Sequence, residues 1–167
     1  MRTLSLNFRK AIFAQESGEI PIFLLTITHP DLAAPIYLST DATTRLSTDP
    51  LTYGTVSRSV TYLYAASSVT LPDEKDKSPP ACKLTMENVT RGLIPLARSV
   101  ATPPTVKIEA VLASALDTVE MTWPVMDMSH LGYDVATLEF DLTMDALVTE
   151  PYPAGTFSPA YFPGLFF

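Results

Sequence analysis

IPIFLLTIT, at residues 20–28, is a nearly continuous apolar run rich in β-branched residues. A strand with one face in water would alternate apolar and polar residues, so this run predicts a strand buried on both faces. It is followed by HPDL, residues 29–32, where Pro30 fixes φ and Asp31 can cap a turn. PIYLS, at 35–39, then predicts a second strand. The fold is therefore expected to form around an interior strand near the start of the chain.

Three later segments alternate between apolar and polar residues, which predicts strands with one buried face. They are ACKLTME (81–87), PPTVKIEAVLAS (103–114) and VATLEFDLTM (135–144). The residues predicted to face the core are Cys82, Leu84 and Met86 in the first, Val106, Ile108, Ala110 and Leu112 in the second, and Leu138, Phe140, Leu142 and Met144 in the third. TVEMTWPVM (118–126) follows the second after a four-residue turn, which predicts an antiparallel hairpin.

The remaining segments complete a mainly β pattern. Residues 51–71 are rich in Tyr, Val, Thr and Ser and predict a hairpin or two short strands, whereas 41–50 and 72–80 predict polar loops. Short helices are predicted at 3–16 and 88–100, the second interrupted by a proline. Six to nine short strands with one or two helices predict an antiparallel β-sandwich or barrel-like domain over residues 1–149.

The C-terminal segment EPYPAGTFSPAYFPGLFF, residues 150–167, has a different composition. Four residues are proline, six are aromatic and one carries a charge, which predicts a stiff, extended arm. Either the arm packs on a neighbouring subunit or it folds back on its own sheet. The residues predicted to form the subunit contact are Tyr152, Phe157, Tyr161, Phe162, Leu165, Phe166 and Phe167.

Composition also excludes several classes of function. Charged residues make up 17% of the chain, against roughly 25% in a typical soluble domain, so much of the surface is expected to be covered by other subunits. The net charge of −7, without a run of Lys or Arg, argues against nucleic-acid binding. No apolar run of about 18 residues predicts a membrane span, and no signal-peptide pattern opens the chain, so synthesis in a cytoplasm is expected.

Few residues offer chemistry. The glycines form no nucleotide-binding motif, the two histidines are far apart in sequence, and Cys82 lies in an alternating strand as a small core residue, so no cofactor or metal is predicted. His29 beside Asp31 could form a hydrolase dyad, but HPD after a strand is more simply a turn. Ser129 and His130, with aspartates nearby, could suggest a triad, yet neighbours along one strand point in different directions. The chain is therefore not expected to be an enzyme.

Aromatic side chains leave a binding role open. Tyr53, Tyr62, Tyr64 and Trp123 could stack on a cell-surface glycan if they are exposed. The same residues are also favoured in the interiors of strands, where they would contribute only to packing.

Several of these stretches together resemble a family of bacteriophage minor tail proteins. The resemblance rests on HPDL, VTLPDE, LTMENVTRGLI, PPTVKIEAVLAS followed by DTVE, and above all the aromatic ending FPGLFF. It runs from about Phe23 to Phe167, and the sequence departs from the family pattern at Pro95, inside the second predicted helix.

The resemblance implies a structural virion protein in the tail tip or baseplate of a long-tailed phage. Such a protein would be assembled in the host cytoplasm, form a ring as a homo-oligomer, and link the tail tube to distal tip proteins. Its neighbours would be the distal tail, hub and tape-measure proteins. The alternatives are a glycan-binding module of the tail tip and a cell-wall hydrolase built on His29 or His130.

Overall fold

The computed structural model of the chain describes residues 4–71, 81–87, 102–134, 136–143, 158, 161 and 163–165. These residues form one α-helix, eleven strands and a short 3-10 helix. The elements are α1 (Leu6–Phe13), β1 (Pro21–Thr28), β2 (Ile36–Ser39), β3 (Thr44–Thr48), β4 (Leu51–Ser57), β5 (Val60–Tyr64), β6 (Ser67–Thr70), β7 (Ala81–Glu87), β8 (Thr105–Leu112), β9 (Ala115–Thr122), β10 (Met126–Tyr133), β11 (Thr137–Thr143) and the 3-10 helix Pro163–Leu165. The predicted mainly β fold class is confirmed. The predicted helix at 88–100, the loop at 72–80 and Met144 lie outside the described residues.

Strand β1 lies in the interior of the sheet, as the apolar run predicts. It pairs antiparallel with β8 along its whole length, from Pro21 opposite Leu112 to Thr28 opposite Thr105, and its other edge pairs with β2. Leu24 and Leu25, which point to opposite faces, are each 0% exposed. The prediction of a strand buried on both faces is therefore confirmed.

The strands form one continuous open sheet. Their order is β3-β4-β5-β2-β1-β8-β10-β11-β7-β6, with β9 pairing to β8 beside this path. All described pairings are antiparallel except that of β2 with β5. The two ends of the sheet pack on opposite faces of β1 and β8, and this folding produces the sandwich-like layers.

The first of these contacts is the large core, between β1, β2 and β8 on one side and β7, β10 and β11 on the other. Its buried members are Leu25, Ile27, Leu38, Cys82, Leu84, Met86, Val106, Ile108, Ala110, Trp123, Met126, Met128, Leu138, Phe140 and Leu142. The residues predicted to face the core are buried at every described position of β7, β8 and β11. Glu109 and Val111 of β8 are buried as well, so the prediction of one buried face is confirmed for β7 and β11 and is wrong for β8. Each fully buried large apolar side chain contributes about 1.5–3 kcal/mol relative to exposure, so this layer dominates the folding free energy.

The second contact is the small core, where the β4–β5 hairpin lies over the other face of β1 and β8. Its buried members are Ile22, Leu24, Tyr62 and Val111. The rings of Tyr37 and Tyr62 meet edge to face with centroids 5.3 Å apart. Beside them the buried hydroxyls of Ser39 and Thr55 share a hydrogen bond of 2.8 Å. The small core therefore combines apolar packing with buried polar groups.

Two sequence-based expectations about this region are wrong in detail. The predicted loop at 41–50 contains β3, which pairs with β4 across a turn holding a cis Asp49–Pro50 peptide. No apolar alternation marks β3 because it ends the sheet and none of its five residues is buried. Residues 51–71 form three strands, β4, β5 and β6, rather than two.

The predicted β8–β9 hairpin is confirmed, but its turn is shorter than expected and its strand bounds differ. Only residues 113–114 separate Leu112 from Ala115, instead of a four-residue turn. The predicted strand at 118–126 covers the end of β9 and the first residue of β10.

Candidate assembly surfaces

His29 is a structural residue of the turn after β1. Its side chain is 1% exposed, and its Nδ1 accepts a hydrogen bond of 3.0 Å from the backbone N–H of Asp31. Nδ1 therefore carries no proton in this arrangement, and the neutral ring has its proton on Nε2, which donates to Thr102 Oγ1 at 2.6 Å. The Asp31 carboxylate, 3.7 Å from Nδ1, is not its hydrogen-bond partner. With both nitrogens engaged, the predicted turn fits this geometry and a hydrolase dyad does not.

The residues of the possible triad do not converge. A β-bulge between Met128 and His130 interrupts the pairing of β10 with β11. The Ser129 hydroxyl donates to the backbone carbonyl of Asp141 at 3.0 Å and not to His130. His130 itself is exposed.

Cys82 lies within the large core, as predicted, with 3% of its surface exposed. Burial disfavours the thiolate and raises the pKa of Cys82 to about 11. The thiol therefore stays protonated at neutral pH and is a poor nucleophile.

Four aromatic residues were considered as glycan-stacking platforms, and two of them are inaccessible. Tyr62 is 3% exposed and Trp123 is 5% exposed, so these two contribute to packing, the second of the two roles that the sequence left open. Strand β5 turns Tyr62 towards Tyr37, and Trp123 packs against Phe23 at a centroid distance of 6.0 Å. Tyr53 and Tyr64 remain accessible, at 38% and 42%.

A buried carboxylate with two cations, which we call the Glu109 cluster, lies on the small-core side of β8. Glu109 Oε2 is 2.5 Å from Nη2 of Arg58, and its Oε1 is 2.7 Å from Nζ of Lys107. Burial of Glu109 opposes its ionisation, but the hydrogen bonds and charges of Arg58 and Lys107 outweigh burial and hold the pKa of Glu109 below its ordinary value. The hydrogen bond to Glu109 in turn raises the pKa of Arg58.

The Glu109 cluster fixes the tip of the β4–β5 hairpin against β8 and β9. Arg58 and Ser59 form the two-residue turn with φ of 51° and 64°. The backbone N–H of Arg58 donates to Asp117 Oδ1 at 2.6 Å, and the Ser57 hydroxyl donates to the Leu116 carbonyl at 2.7 Å. Sequence reasoning missed this cluster; its only signal is one acidic residue, Glu109, inside an otherwise apolar stretch of β8.

Helix α1 is attached to the domain mainly at its N-terminus. Ser5 caps the helix by accepting the Phe8 N–H at 3.1 Å, and the Ser5 N–H donates to Glu120, a carboxylate only 7% exposed. The helix has no buried residue, and its Leu6, Ile12 and Phe13 are 65%, 55% and 85% exposed. The short helix predicted at 3–16 is confirmed, but most of its large apolar side chains face away from the domain.

A second group of exposed apolar side chains lies at the β3–β4–β5 end of the sheet. Leu51, Val56 and Leu63 are 60%, 45% and 49% exposed. On β4 and β5 the buried residues Thr55, Ser57 and Tyr62 face the small core, so Val56 and Leu63 face outward. Apolar side chains are therefore accessible on two separate parts of the domain.

The predicted arm is described at only a few positions. Tyr161 is 80% exposed and its N–H donates to the Ser158 carbonyl, and Leu165 ends the 3-10 helix. The other predicted contact residues, Tyr152, Phe157, Phe162, Phe166 and Phe167, lie outside the described residues, as does the boundary between domain and arm. Both the arm and the boundary stay predictions.

Two searches of the described residues found no site of a familiar kind. No group of three or more His, Cys, Asp or Glu side chains there could hold a metal ion. No helix in the described part of the chain is both long and apolar enough to cross a lipid bilayer.

The fold and these surfaces define a mainly β domain with large apolar side chains exposed among its described residues. The chain belongs to the DUF1833 family, a domain of unknown function, whose model matches residues 7–157. A search of curated proteins found no match.

Proposed function

We propose that this chain is a structural component of the tail tip or baseplate of a long-tailed bacteriophage. In this role it forms a homo-oligomeric ring that links the tail tube to distal tip proteins, within a virion assembled in the host cytoplasm. The placement in a phage tail rests on the resemblance of the HPDL, LTMENVTRGLI and FPGLFF stretches to minor tail proteins.

The structural observation that supports an assembly role is the exposure of large apolar side chains on a chain with few charges. Leu6 and Phe13 on α1 and Leu51 on β4 are each at least 60% exposed, while only 17% of all residues are charged. Grouped apolar exposure is typical of surfaces that bind other proteins, whereas single exposed residues are ordinary. The aromatic arm predicted at 150–167 is proposed as a further contact with a neighbouring subunit.

Purified virions of a phage that encodes the chain provide the direct test. Mass spectrometry and cryo-electron microscopy should find the chain in the tail tip, at a stoichiometric copy number and in a closed ring. Absence of the chain from mature particles would refute the proposed function.

A truncation tests the arm separately. Deletion of 151–167 should leave a domain with a β-sheet circular dichroism spectrum but stop tail assembly, which plaque counts measure. Gly18→Ala is the matched control, because an added Cβ there meets nothing within 4 Å. Infectious particles built from the truncated chain would remove the arm from the proposed interface.

A further inference from the structure

We infer that α1 is a docking helix that binds the acidic outer face of β7 and β11 on a second copy of this chain. The inference rests on the proposed function only for its setting, a ring of identical copies. We call Leu6, Arg9, Lys10 and Phe13 the docking face of α1. The acidic face consists of Glu87, Glu139 and Asp141 with the neighbouring Lys83.

The docking face follows from the spacing of its residues. Positions 6, 9, 10 and 13 are related by three, four and seven residues, so they lie on one side of the helix, and all four are exposed. Phe8 and Ala11 are half-buried and mark the side that rests on the domain. The outward side therefore presents two cations between two apolar ends, Leu6 and Phe13, an arrangement used by helices that bind grooves.

The stability of α1 also favours a partner. The helix has eight residues, whereas isolated helices shorter than about 12–15 residues are marginal in water. Its described anchors are the Ser5 cap and the hydrogen bond from Ser5 to Glu120. Contact along the docking face would add the tertiary packing that short helices need.

Charge complementarity identifies the partner as a second copy. Three of the 11 Lys and Arg residues lie within 1–15, and none of the 18 Asp and Glu residues does. The side chains of Arg9 and Lys10 have no ion-pair partner among the described residues. A basic helix on a chain with a net charge of −7 is attracted to the acidic surface of another copy.

The acidic face is a surface of the described sheet whose charge is opposite to that of this helix. Cys82, Leu84 and Met86 of β7 point inward, so Lys83 and Glu87 point outward, and Asp141 lies opposite Lys83 on β11. Lys83 contacts Glu139 at 3.0 Å and lies close enough to Asp141 for both carboxylates to raise its pKa. One cation among three carboxylates leaves the face negative.

The dimensions of the two surfaces also agree. Leu6 and Phe13 are seven residues apart, or about 10 Å along the helix, which equals about two strand spacings. Gly132 of β10 lies opposite Glu139, and an added Cβ there would be 3.9 Å from the Glu139 Cβ. Gly132 thus leaves the sheet surface beside Glu139 without a side chain of its own, at a position bordered by Glu139 and by His130 Nε2 at 4.0 Å.

The two faces belong to different parts of the domain, so the contact is head-to-tail. A head-to-tail contact produces a ring when its rotation closes. It also predicts the behaviour of mixtures. When one variant has an altered helix and the other an altered acidic face, the intact helix of one copy can still bind the intact acidic face of the other.

The test measures association of the purified full chain by sedimentation velocity over a range of concentrations. Arg9→Glu/Lys10→Glu and Glu139→Lys/Asp141→Lys should each weaken self-association at least tenfold. An equimolar mixture of the two variants should recover association at a 1:1 ratio, through heterodimers and larger alternating species, because both contacts between unlike copies join opposite charges. Leu6→Ser/Phe13→Ser keeps the charges and should also weaken association, and added salt should weaken that of the wild type.

Arg45→Glu on β3 is the charge control, since it adds negative charge at an exposed site away from both faces, and it should associate like the wild type. Matching circular dichroism spectra check that each variant folds. A monomeric wild type, an Arg9→Glu/Lys10→Glu variant within twofold of wild-type association, or a mixture without recovered association would overturn the inference. This test uses the purified chain alone. If the chain were absent from virions, the proposed function would be refuted, but the measured self-association would stand.

Discussion

The large core and the small core cover opposite faces of the same two strands, β1 and β8, with different chemistry. The large core contains apolar and sulfur-containing side chains from four further strands, together with Trp123. The small core combines four buried residues with a pair of bonded hydroxyls, and the Glu109 cluster lies at its border. Apolar burial is strong but non-directional, whereas hydrogen bonds and ion pairs fix orientation.

This difference assigns separate roles to the two faces. Full burial of a large apolar side chain contributes about 1.5–3 kcal/mol, while a hydrogen bond contributes about 0.5–1.5 kcal/mol net. The large core therefore supplies most of the stability. The polar contacts of Arg58, Ser57 and Thr55 mainly determine where the β4–β5 hairpin lies.

Substitutions of two neighbouring leucines in β1 give the most direct comparison of the two cores. Leu25 faces the large core, Leu24 faces the small core, and both are 0% exposed. Leu25→Ala should cost about 4 kcal/mol of unfolding free energy and Leu24→Ala about 2–3 kcal/mol, because the hairpin over Leu24 can partly close the cavity. Urea denaturation measures both. Equal losses would show that the two layers are equally rigid.

Gly54 tests how closely the hairpin strands approach. A Cβ at this position would lie 2.0 Å from the backbone carbonyl oxygen of Tyr62, which cannot move without disturbing the β4–β5 pairing. Gly54→Ala should therefore cost about 2–3 kcal/mol. Gly132→Ala is the control, since its nearest contact is 3.9 Å, and it should change stability little. Similar midpoints for the two variants in urea would contradict the close approach.

The charge of Glu109 makes the stability of the small-core side depend on pH. Its pKa is depressed in the folded state, so its stabilisation is present above the unfolded pKa and is lost as the pH falls through the folded pKa. Glu109→Gln should cost about 1–2 kcal/mol at pH 7, a value reduced because Arg58 and Lys107 are 40% and 43% exposed. The difference from the wild type should shrink as the pH is lowered below about 4.5. A difference that is constant from pH 7 to pH 3 would show that the charge of Glu109 is irrelevant.

Substitution of Ser59 should change the free energy of unfolding least, and it should increase stability where the other substitutions decrease it. Its φ of 64° suits glycine better than serine. Ser59→Gly should stabilise the chain by about 0.5 kcal/mol, because relief of the left-handed strain exceeds the added entropy of the unfolded chain. Ser68→Gly on strand β6 is the comparison and should destabilise. Thermal unfolding resolves the sign, and destabilisation by both substitutions would contradict the strain.

The sequence predicted the large core well because that core obeys a simple periodicity. In β7 and β11 apolar residues occupy every second position, and these side chains are the ones that face inward. The run at 20–28 lacks alternation, and β1 is correspondingly buried on both faces. The pattern therefore distinguished one-sided from two-sided burial for β1, β7 and β11, but not for β8, which alternates in sequence and is buried on both faces.

The small-core side was not predictable in the same way. Arg58 and Glu109 are distant in sequence, and only the docking of the hairpin onto β8 brings them together. Strand β3 is polar because it covers no core, so its pairing with β4 gives no hydrophobic signal. The exposure of Leu6 and Phe13 also depends on how α1 sits on the domain, which spacing alone does not specify.

The pairing of β1 with β8 has a consequence for biosynthesis. Thr28 pairs with Thr105 and Pro21 pairs with Leu112, so β1 leaves the ribosome long before the strand that it pairs with is made. At about 5–20 residues per second, roughly 4–15 seconds pass before that partner is synthesised. During this interval β2 can pair with one edge of the apolar segment IPIFLLTIT, but the edge that pairs with β8 has no partner strand in the nascent chain. Chaperones that shield such segments should therefore raise the yield of this protein more than they raise that of domains built from adjacent hairpins.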